Sequence, residues 1–253
     1  MRVMSAGRTD VGRKREHNED SLGVFDGLGL YLVADGMGGH AAGEVASGIA
    51  VDTVRAFIGS TAEGAVTNWP FGPDPDLSPG ANRLAAGIKL ANMAIRAEAR
   101  TNPTEKGMGT TIVAVLMDGD TAHVAHVGDS RVYVLGGGVL TRLTTDHSFV
   151  EEMVANGSLT PEQARAHPMK NLITRALGSK DEVKVDITSR PLRAGEIYLL
   201  CSDGLSGMLT DGEITRIISD NSTDMAACAE TLISRANENG GLDNITAVLL
   251  RVD

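Results

Sequence analysis

Four aspartates stand at the edges of apolar runs. Asp35 closes the run 30–34, Asp129 follows 124–127 after Gly128, Asp203 follows 197–201 after Ser202, and Asp243 stands just before 245–252. In antiparallel strands the start of one lies beside the ends of its neighbours, so the four carboxylates can converge on one rim. Bare carboxylates that close raise one another's pKa and destabilise a fold. A hard divalent cation relieves the repulsion, and an oxygen-only ligand set favours Mg²⁺ or Mn²⁺ over zinc. Gly36, Gly128 and Gly204 beside these aspartates permit tight turns, and Gly36 can offer its carbonyl oxygen. A single Asp-Gly pair is more often a plain turn. Four at strand ends move the balance toward a metal centre.

The elements that must hold these residues follow from hydrophobic periodicity. Strands are expected at 21–25, 30–34, 110–117, 121–127, 131–135, 139–143, 183–188, 196–202 and 245–252, and helices at 42–58, 82–100, 211–219 and 223–237. The stretch 148–167 turns polar and helical, and 68–80, rich in Pro, Gly and Asp, reads as a surface loop. Short turns make the strands antiparallel, and the helices come in two successive pairs. The expected fold is α+β: a four-layer αββα sandwich, two antiparallel sheets face to face with a helix pair on each outer face. No repeat or change of composition divides the chain, so one domain across 1–253 is expected.

Composition narrows the function. With 42% hydrophobic residues but 3% aromatic, the core must be built from aliphatic side chains and Met. A net charge of -10 argues against a nucleic-acid or anionic-membrane binder. No apolar run is long enough to span a bilayer, and Arg2, Arg8 and Asp10 interrupt any signal-like stretch. Two cysteines, Cys201 and Cys228, imply no disulfide framework, and a cytoplasmic protein is expected. A cysteine-nucleophile phosphatase needs Arg six positions after its Cys; Gly207 stands there after Cys201, which excludes that chemistry. His123 and His126, three apart on a strand, lie on opposite faces and cannot chelate together.

A series of motifs then runs the length of the chain. In order they are Arg15-Glu16-His17-Asn18-Glu19-Asp20, Val33-Ala34-Asp35-Gly36-Met37-Gly38-Gly39 and Gly107-Met108-Gly109-Thr110-Thr111. Val127-Gly128-Asp129-Ser130-Arg131, Asp146-His147-Ser148 and His167-Pro168-Met169-Lys170-Asn171-Leu172-Ile173-Thr174-Arg175 follow. Ser202-Asp203-Gly204-Leu205 and Asp243-Asn244-Ile245-Thr246 complete the set. The sequence closely resembles the metal-dependent Ser/Thr protein phosphatases of type 2C in their compact bacterial form, from about Asp10 to Val252.

The resemblance implies the αββα fold and hydrolysis of phosphomonoesters by direct attack of a metal-bridging water or hydroxide. It implies two core ions, Mn²⁺ or Mg²⁺, with Asp35 bridging them, the Gly36 carbonyl on one, and Asp203 and Asp243 on the other. Asp20 would hold metal-bound water in the outer shell, with Glu19 a weaker candidate, and Asp129 with Asp203 would serve a weaker third ion. Arg15 would grip the substrate phosphate; beside Arg13 and Lys14 it would otherwise read as plain surface. Arg131 and Arg175 are expected in ion pairs, and 148–175 forms the flap beside the site. Met37 stands where animal members carry a His proposed as general acid, and Met cannot donate that proton. The implied partners are proteins phosphorylated on Ser or Thr, a Ser/Thr kinase among them, with no nucleic acid, no membrane and a monomeric state. A catalytically silent relative would lack ligands that this chain retains. A small-molecule phosphoesterase or metallonuclease would use a similar centre, and net charge disfavours the nuclease.

Overall fold

The computed structural model describes residues 2–38, 42–61, 69–105 and 107–253. Gly39, which ends the second motif, and Asn68, which opens the expected loop, lie outside the described residues. Among the described residues, eleven strands form two sheets. The strands are β1 (Val3–Asp10), β2 (Asp20–Phe25), β3 (Leu30–Met37), β4 (Gly109–Thr110), β5 (Ile112–Asp118), β6 (Thr121–Val127), β7 (Arg131–Gly136), β8 (Val139–Arg142), β9 (Asp186–Pro191), β10 (Ile197–Cys201) and β11 (Ile245–Val252). One sheet runs β1-β11-β10-β7-β8; the other runs β2-β3-β5-β6-β9, with β4 pairing β3. Every pairing is antiparallel.

The alternation of side chains along each strand sorts the core into three layers. Leu30, Leu32 and Ala34 of β3 pack on helices α1 (Ala42–Ser60) and α2 (Pro79–Thr101). Tyr31 and Val33, between them in sequence, point the other way and meet Val248 and Leu250 of β11 between the sheets. Leu249 and Ala247 of β11 face the second helical layer, α5 (Asp203–Ser206), α6 (Asp211–Asp220) and α7 (Met225–Glu238). Strands such as β3, covered on both faces, are therefore buried along most of their length.

Local chemistry sets the helix starts. Ser78 caps α2 by accepting the Ala81 amide, with Pro79 in the first turn. Thr210 and Glu213 form a capping box on α6, and Asp224 accepts from the amides of Ala226 and Ala227 on α7. The flap segment carries two short helices, α3 (Phe149–Ala155) and α4 (Pro161–Arg165).

The αββα sandwich is the expected one, with local differences that include the unexpected short α5 and the division of 110–117 into β4 and β5. β1 is an additional edge strand, paired only to β11. β9 runs Asp186–Pro191 rather than 183–188 because its register is set by β6, with Asp186 opposite His126 and Pro191 opposite Thr121. Val183 and Val185 instead pack on the core beneath α1 and α2. The expected loop ends early, since α2 begins at Pro79.

Candidate metal centre

β3 delivers Asp35 to one rim of the sandwich, and its neighbour β2 begins there with Asp20, directly opposite Asp35 in the ladder. The turn after β6 brings Asp129, the first turn of α5 brings Asp203, and the residue two before β11 is Asp243. Arg15, Glu19, Asp35, Gly36, Met37, Gly38, Asp129, Asp203 and Asp243 line one cleft of ≈ 330 Å³, together with Thr111, Asn171 and Ile173. Of the predicted residues, only Asp20 lies behind the cleft wall instead of on it. It is 7% exposed.

Asp20 joins the two sheets. Its Oδ2 accepts from the hydroxyls of Ser202 (2.8 Å) and Thr246 (2.6 Å), both on the opposite sheet's side. Its Oδ1 is buried with no partner. Burial pushes the Asp20 carboxyl up to about 7, opposed by the Thr246 and Ser202 hydroxyls and reinforced by Asp203 and Asp243. Burial likewise raises Asp129 to about 7, with Asp203 and Asp146 adding to it. Asp35 is raised well above the ordinary carboxylate range by burial and by Asp20, Asp203, Asp129 and Asp243 around it. Asp203 is raised by burial and by Asp243.

Backbone geometry fixes these positions. A Cβ on Gly36 would fall 2.1 Å from the Gly43 carbonyl oxygen and 2.5 Å from that of Glu19, so only Gly lets β3 pass between them. Gly128 sits at φ 110, where a side chain is strained, and turns the chain into Asp129. Thr111 accepts the Asp35 amide (3.2 Å) and pairs with Ser130 (2.7 Å), tying the two acidic strand ends together. Asn244 accepts the Glu19 amide (2.9 Å) and donates to the carbonyls of Val11 and His17, anchoring the segment that carries Arg15. Arg15 donates to Asp243 Oδ2 at 2.8 Å.

Among the described residues, five carboxylates line the cleft against one guanidinium, and two buried carboxylate oxygens at its wall, Glu19 Oε1 and Asp20 Oδ1, have no partner. Such an arrangement is unfavourable alone and fits hard divalent cations, which prefer oxygen donors. Asp35, the Gly36 carbonyl, Asp129, Asp203 and Asp243 are the atoms available to hold them.

A second cluster, His126, His147 and Asp186, brings donor atoms within 4.8 Å of one another. Most of its donors are already engaged. His126 Nε2 lies 2.8 Å from the Thr145 carbonyl, which requires an N–H there. His147 Nδ1 accepts from the Gly128 amide at 3.0 Å, leaving Nε2–H to donate to Asp186 at 3.1 Å. The rings stack 12° from parallel at 4.6 Å, so their in-plane lone pairs do not converge. It is a structural cluster, not a cation cage.

Arg131 and Arg175 fall in the expected ion pairs, Arg131 as a fork on Asp146 and Arg175 on Asp186 at 2.9 Å. Cys201 is a buried strand residue. His123 and His126 face opposite sides of β6, toward Ser189 and Thr145 respectively. Sequence reasoning gave no supporting role to Thr111, Ser130 or Asn244. The Thr110-Thr111, Asp129-Ser130 and Asp243-Asn244 motifs contain them without assigning them that role.

The fold and cleft define a class: a double antiparallel sheet sandwich that gathers oxygen ligands at one rim. The chain belongs to the Protein phosphatase 2C family, whose profile matches residues 10–249. The serine/threonine protein phosphatase PstP of Mycobacterium tuberculosis is 41% identical over 250 residues, covering 98% of this chain and 44% of that protein. The chain thus spans less than half the length of that relative. The serine/threonine phosphatase stp of Listeria monocytogenes is 39% identical over 253 residues, covering 97% of this chain and 94% of the relative. The crystal structure of M. tuberculosis PstP superposes with a TM-score of 0.87 at 39% identity, covering 99% of each chain. The PstP catalytic domain in complex with two manganese ions superposes at 0.84 and 38% identity, again over 99% of each chain.

Proposed function

We propose that this chain is a metal-dependent phosphatase that hydrolyses phosphoserine and phosphothreonine in proteins, with Mn²⁺ or Mg²⁺ as cofactor. One observation carries the reading: Asp35, Gly36, Asp129, Asp203, Asp243 and Arg15 line a single cleft. Family membership and the two manganese ions bound by the similar PstP domain support it.

In this reading Asp35, the Gly36 carbonyl, Asp203 and Asp243 hold two ions, and Asp129 with Asp203 a looser third. Bound there, the ions supply an activated water and neutralise charge on the transferring phosphoryl group. Asp20 serves as an outer-shell acceptor through its unpartnered Oδ1. Arg15, at the cleft's edge, presents a planar fork of N–H donors to the phosphate. The Asn244 hydrogen bonds keep its segment in place, so the donor is aimed before substrate arrives. Met37 lines the same cleft and brings no exchangeable proton to the leaving oxygen.

The catalytic unit is taken as residues 1–253 with the flap at 148–175, acting as a monomer in the cytoplasm on phosphoproteins that include a Ser/Thr kinase. Two buried free cysteines suit a reducing compartment. No helix among the described residues is long and apolar enough to cross a membrane.

The test is phosphate release from a phosphothreonine peptide, a small phosphate ester and DNA. The peptide should be hydrolysed in Mn²⁺, lose its reaction in chelator, and regain it when Mn²⁺ returns. Full peptide hydrolysis in chelator sinks the mechanism, and preference for DNA sinks the substrate class.

A further inference from the structure

Gly128 gives both of its backbone polar groups to one residue. Its amide donates to His147 Nδ1 at 3.0 Å, and its carbonyl accepts from the His147 amide at 2.9 Å. This two-bond clamp holds the residue immediately before Asp129, in a turn that passes through a positive φ at Gly128. The other side of that turn is walled by Thr111, whose side chain lies within 2.6 Å of where a Gly128 Cβ would be.

His147 also stands where the flap begins and ends. The flap starts at Ser148, which bridges Ile173, and Phe149 donates to the Leu172 carbonyl at 2.8 Å. The returning segment closes on His147 itself, through the Thr174 amide to its carbonyl at 2.8 Å. The next residue, Arg175, reaches Asp186 Oδ1 at 2.9 Å, while His147 Nε2 holds Asp186 Oδ2 at 3.1 Å. Asn171 and Ile173, on this returning arm, line the catalytic cleft. Stacking on His126 fixes the ring plane that makes these bonds possible.

The geometry points to His147 as a positioning residue that locks the base of the flap to the Gly128–Asp129 turn, so that the flap's placement over the cleft and the aim of Asp129 are coupled. The inference rests on the reading of Asp129 as the ligand of a third ion. Coupling through one shared element is reciprocal: whatever steadies Asp129 steadies the flap. Mn²⁺ at Asp129 should therefore slow amide exchange in 148–175, beyond the residues it touches.

Two substitutions dissect the ring. His147→Asn keeps an acceptor where Nδ1 was and loses the reach to Asp186. His147→Gln keeps a donor where Nε2 was and loses the acceptor for Gly128. Calorimetric Mn²⁺ titration and hydrogen exchange of the flap are measured on wild type, both variants and Asp129→Asn. Wild type should bind two tight ions and a weaker third, the third slowing flap exchange; Asp129→Asn should abolish that slowing. His147→Gln should weaken only the third ion, by roughly 10- to 100-fold as for other residues that orient a ligand, and uncouple flap exchange from it. His147→Asn should retain most of both. Equal loss in the two variants would reduce His147 to a packing residue, and an undiminished response in His147→Gln would overturn the relay. Should His147→Gln not fold, a wild-type flap that ignores Mn²⁺, or that still responds in Asp129→Asn, overturns it as well. Phosphopeptide hydrolysis run alongside separates the two readings. A wild type that hydrolyses but binds only two ions loses the relay and keeps the phosphatase. One that hydrolyses nothing loses the phosphatase, and its flap response still judges the relay.

Discussion

Arg15 reaches Asp243 at 2.8 Å with its side chain 49% exposed, an ion pair that solvent weakens and that a phosphate can take over. If it grips phosphate, Arg15→Ala should lower kcat/KM on a phosphopeptide by roughly a hundredfold, the scale of removing one charge-aimed donor. Arg15→Lys should recover only part, because an ammonium lacks the planar fork. An unchanged kcat/KM returns Arg15 to ordinary surface. Asp129 yields a second prediction, about stability without metal. Its carboxyl moves from an ordinary 3.8 to about 7 in the fold. Between those values the folded state binds more protons than the unfolded, so this group's contribution to stability falls as pH rises through the window. Buried His123, His126 and His147, held below their ordinary value by burial, act in the opposite sense. The measurable quantity is therefore a difference. In chelator, Asp129→Asn should gain on wild type by about 1–4 kcal/mol in urea unfolding between pH 5 and pH 8; a flat difference would show that this carboxyl is not strained. The aspartates themselves were legible in the sequence because each abuts an apolar run. Thr111, Asn244 and His147 stand in the motifs, but their supporting roles were not legible, since they act by hydrogen bonds to partners distant in sequence.

At the scale of elements, Gly36 of β3, packed against α1, and Gly48 of α1 have opposite expected behaviour. Gly43 lies against the end of β3, where a Gly36 Cβ would fall 2.1 Å from its carbonyl oxygen. Gly36→Ala must push the strand and helix apart, at a cost of about 1–3 kcal/mol, and should weaken Mn²⁺ binding with it. Gly48, in the middle of the same helix, has nothing within 4 Å of an added Cβ. Gly48→Ala should stabilise by about 0.5–1 kcal/mol through helix propensity alone. Urea unfolding of both variants checks the pair, and the same sign for both would discredit the contact. Periodicity located α1, α2, α6, α7 and most strands because each buries a regular face. β1 escaped it: half-exposed at an edge and reading Val-Met-Ser-Ala-Gly-Arg-Thr-Asp, it shows no apolar alternation and exists through its pairing with β11. The four-residue α5 is too short for any period. β9 was misplaced by three residues because Val183 and Val185 pack as core without joining the ladder.

Across the whole molecule, the sandwich core and the acidic rim place opposite demands on the chain. Alternating side chains weld two sheets and two helical layers into cores that are mostly aliphatic but, unlike the expectation from composition, also bury Tyr31, Tyr133 and Tyr198, while strand ends of both sheets contribute carboxylates to one cleft. The surrounding field has the same sign, for the chain carries a net charge of -10, about -6 with two divalent ions bound. Such a field concentrates metal ions and cationic peptide near the cleft and repels anionic peptide. In the proposed reading the phosphate meets Arg15 and the ions at close range, but the residues flanking it meet the longer-range potential first. A phosphothreonine peptide flanked by Lys and Arg should therefore show a higher kcat/KM than one flanked by Asp and Glu, and the gap should come mainly from KM. Because screening sets in over about 8 Å at physiological ionic strength, raising salt should shrink the gap by slowing the basic peptide and speeding the acidic one. The measurement is kcat/KM for both peptides at low and high NaCl with saturating Mn²⁺. A ratio that ignores salt would mean that flanking residues are read by direct contacts with the flap, and a preference for the acidic peptide would mean that the bound ions reverse the potential at the cleft.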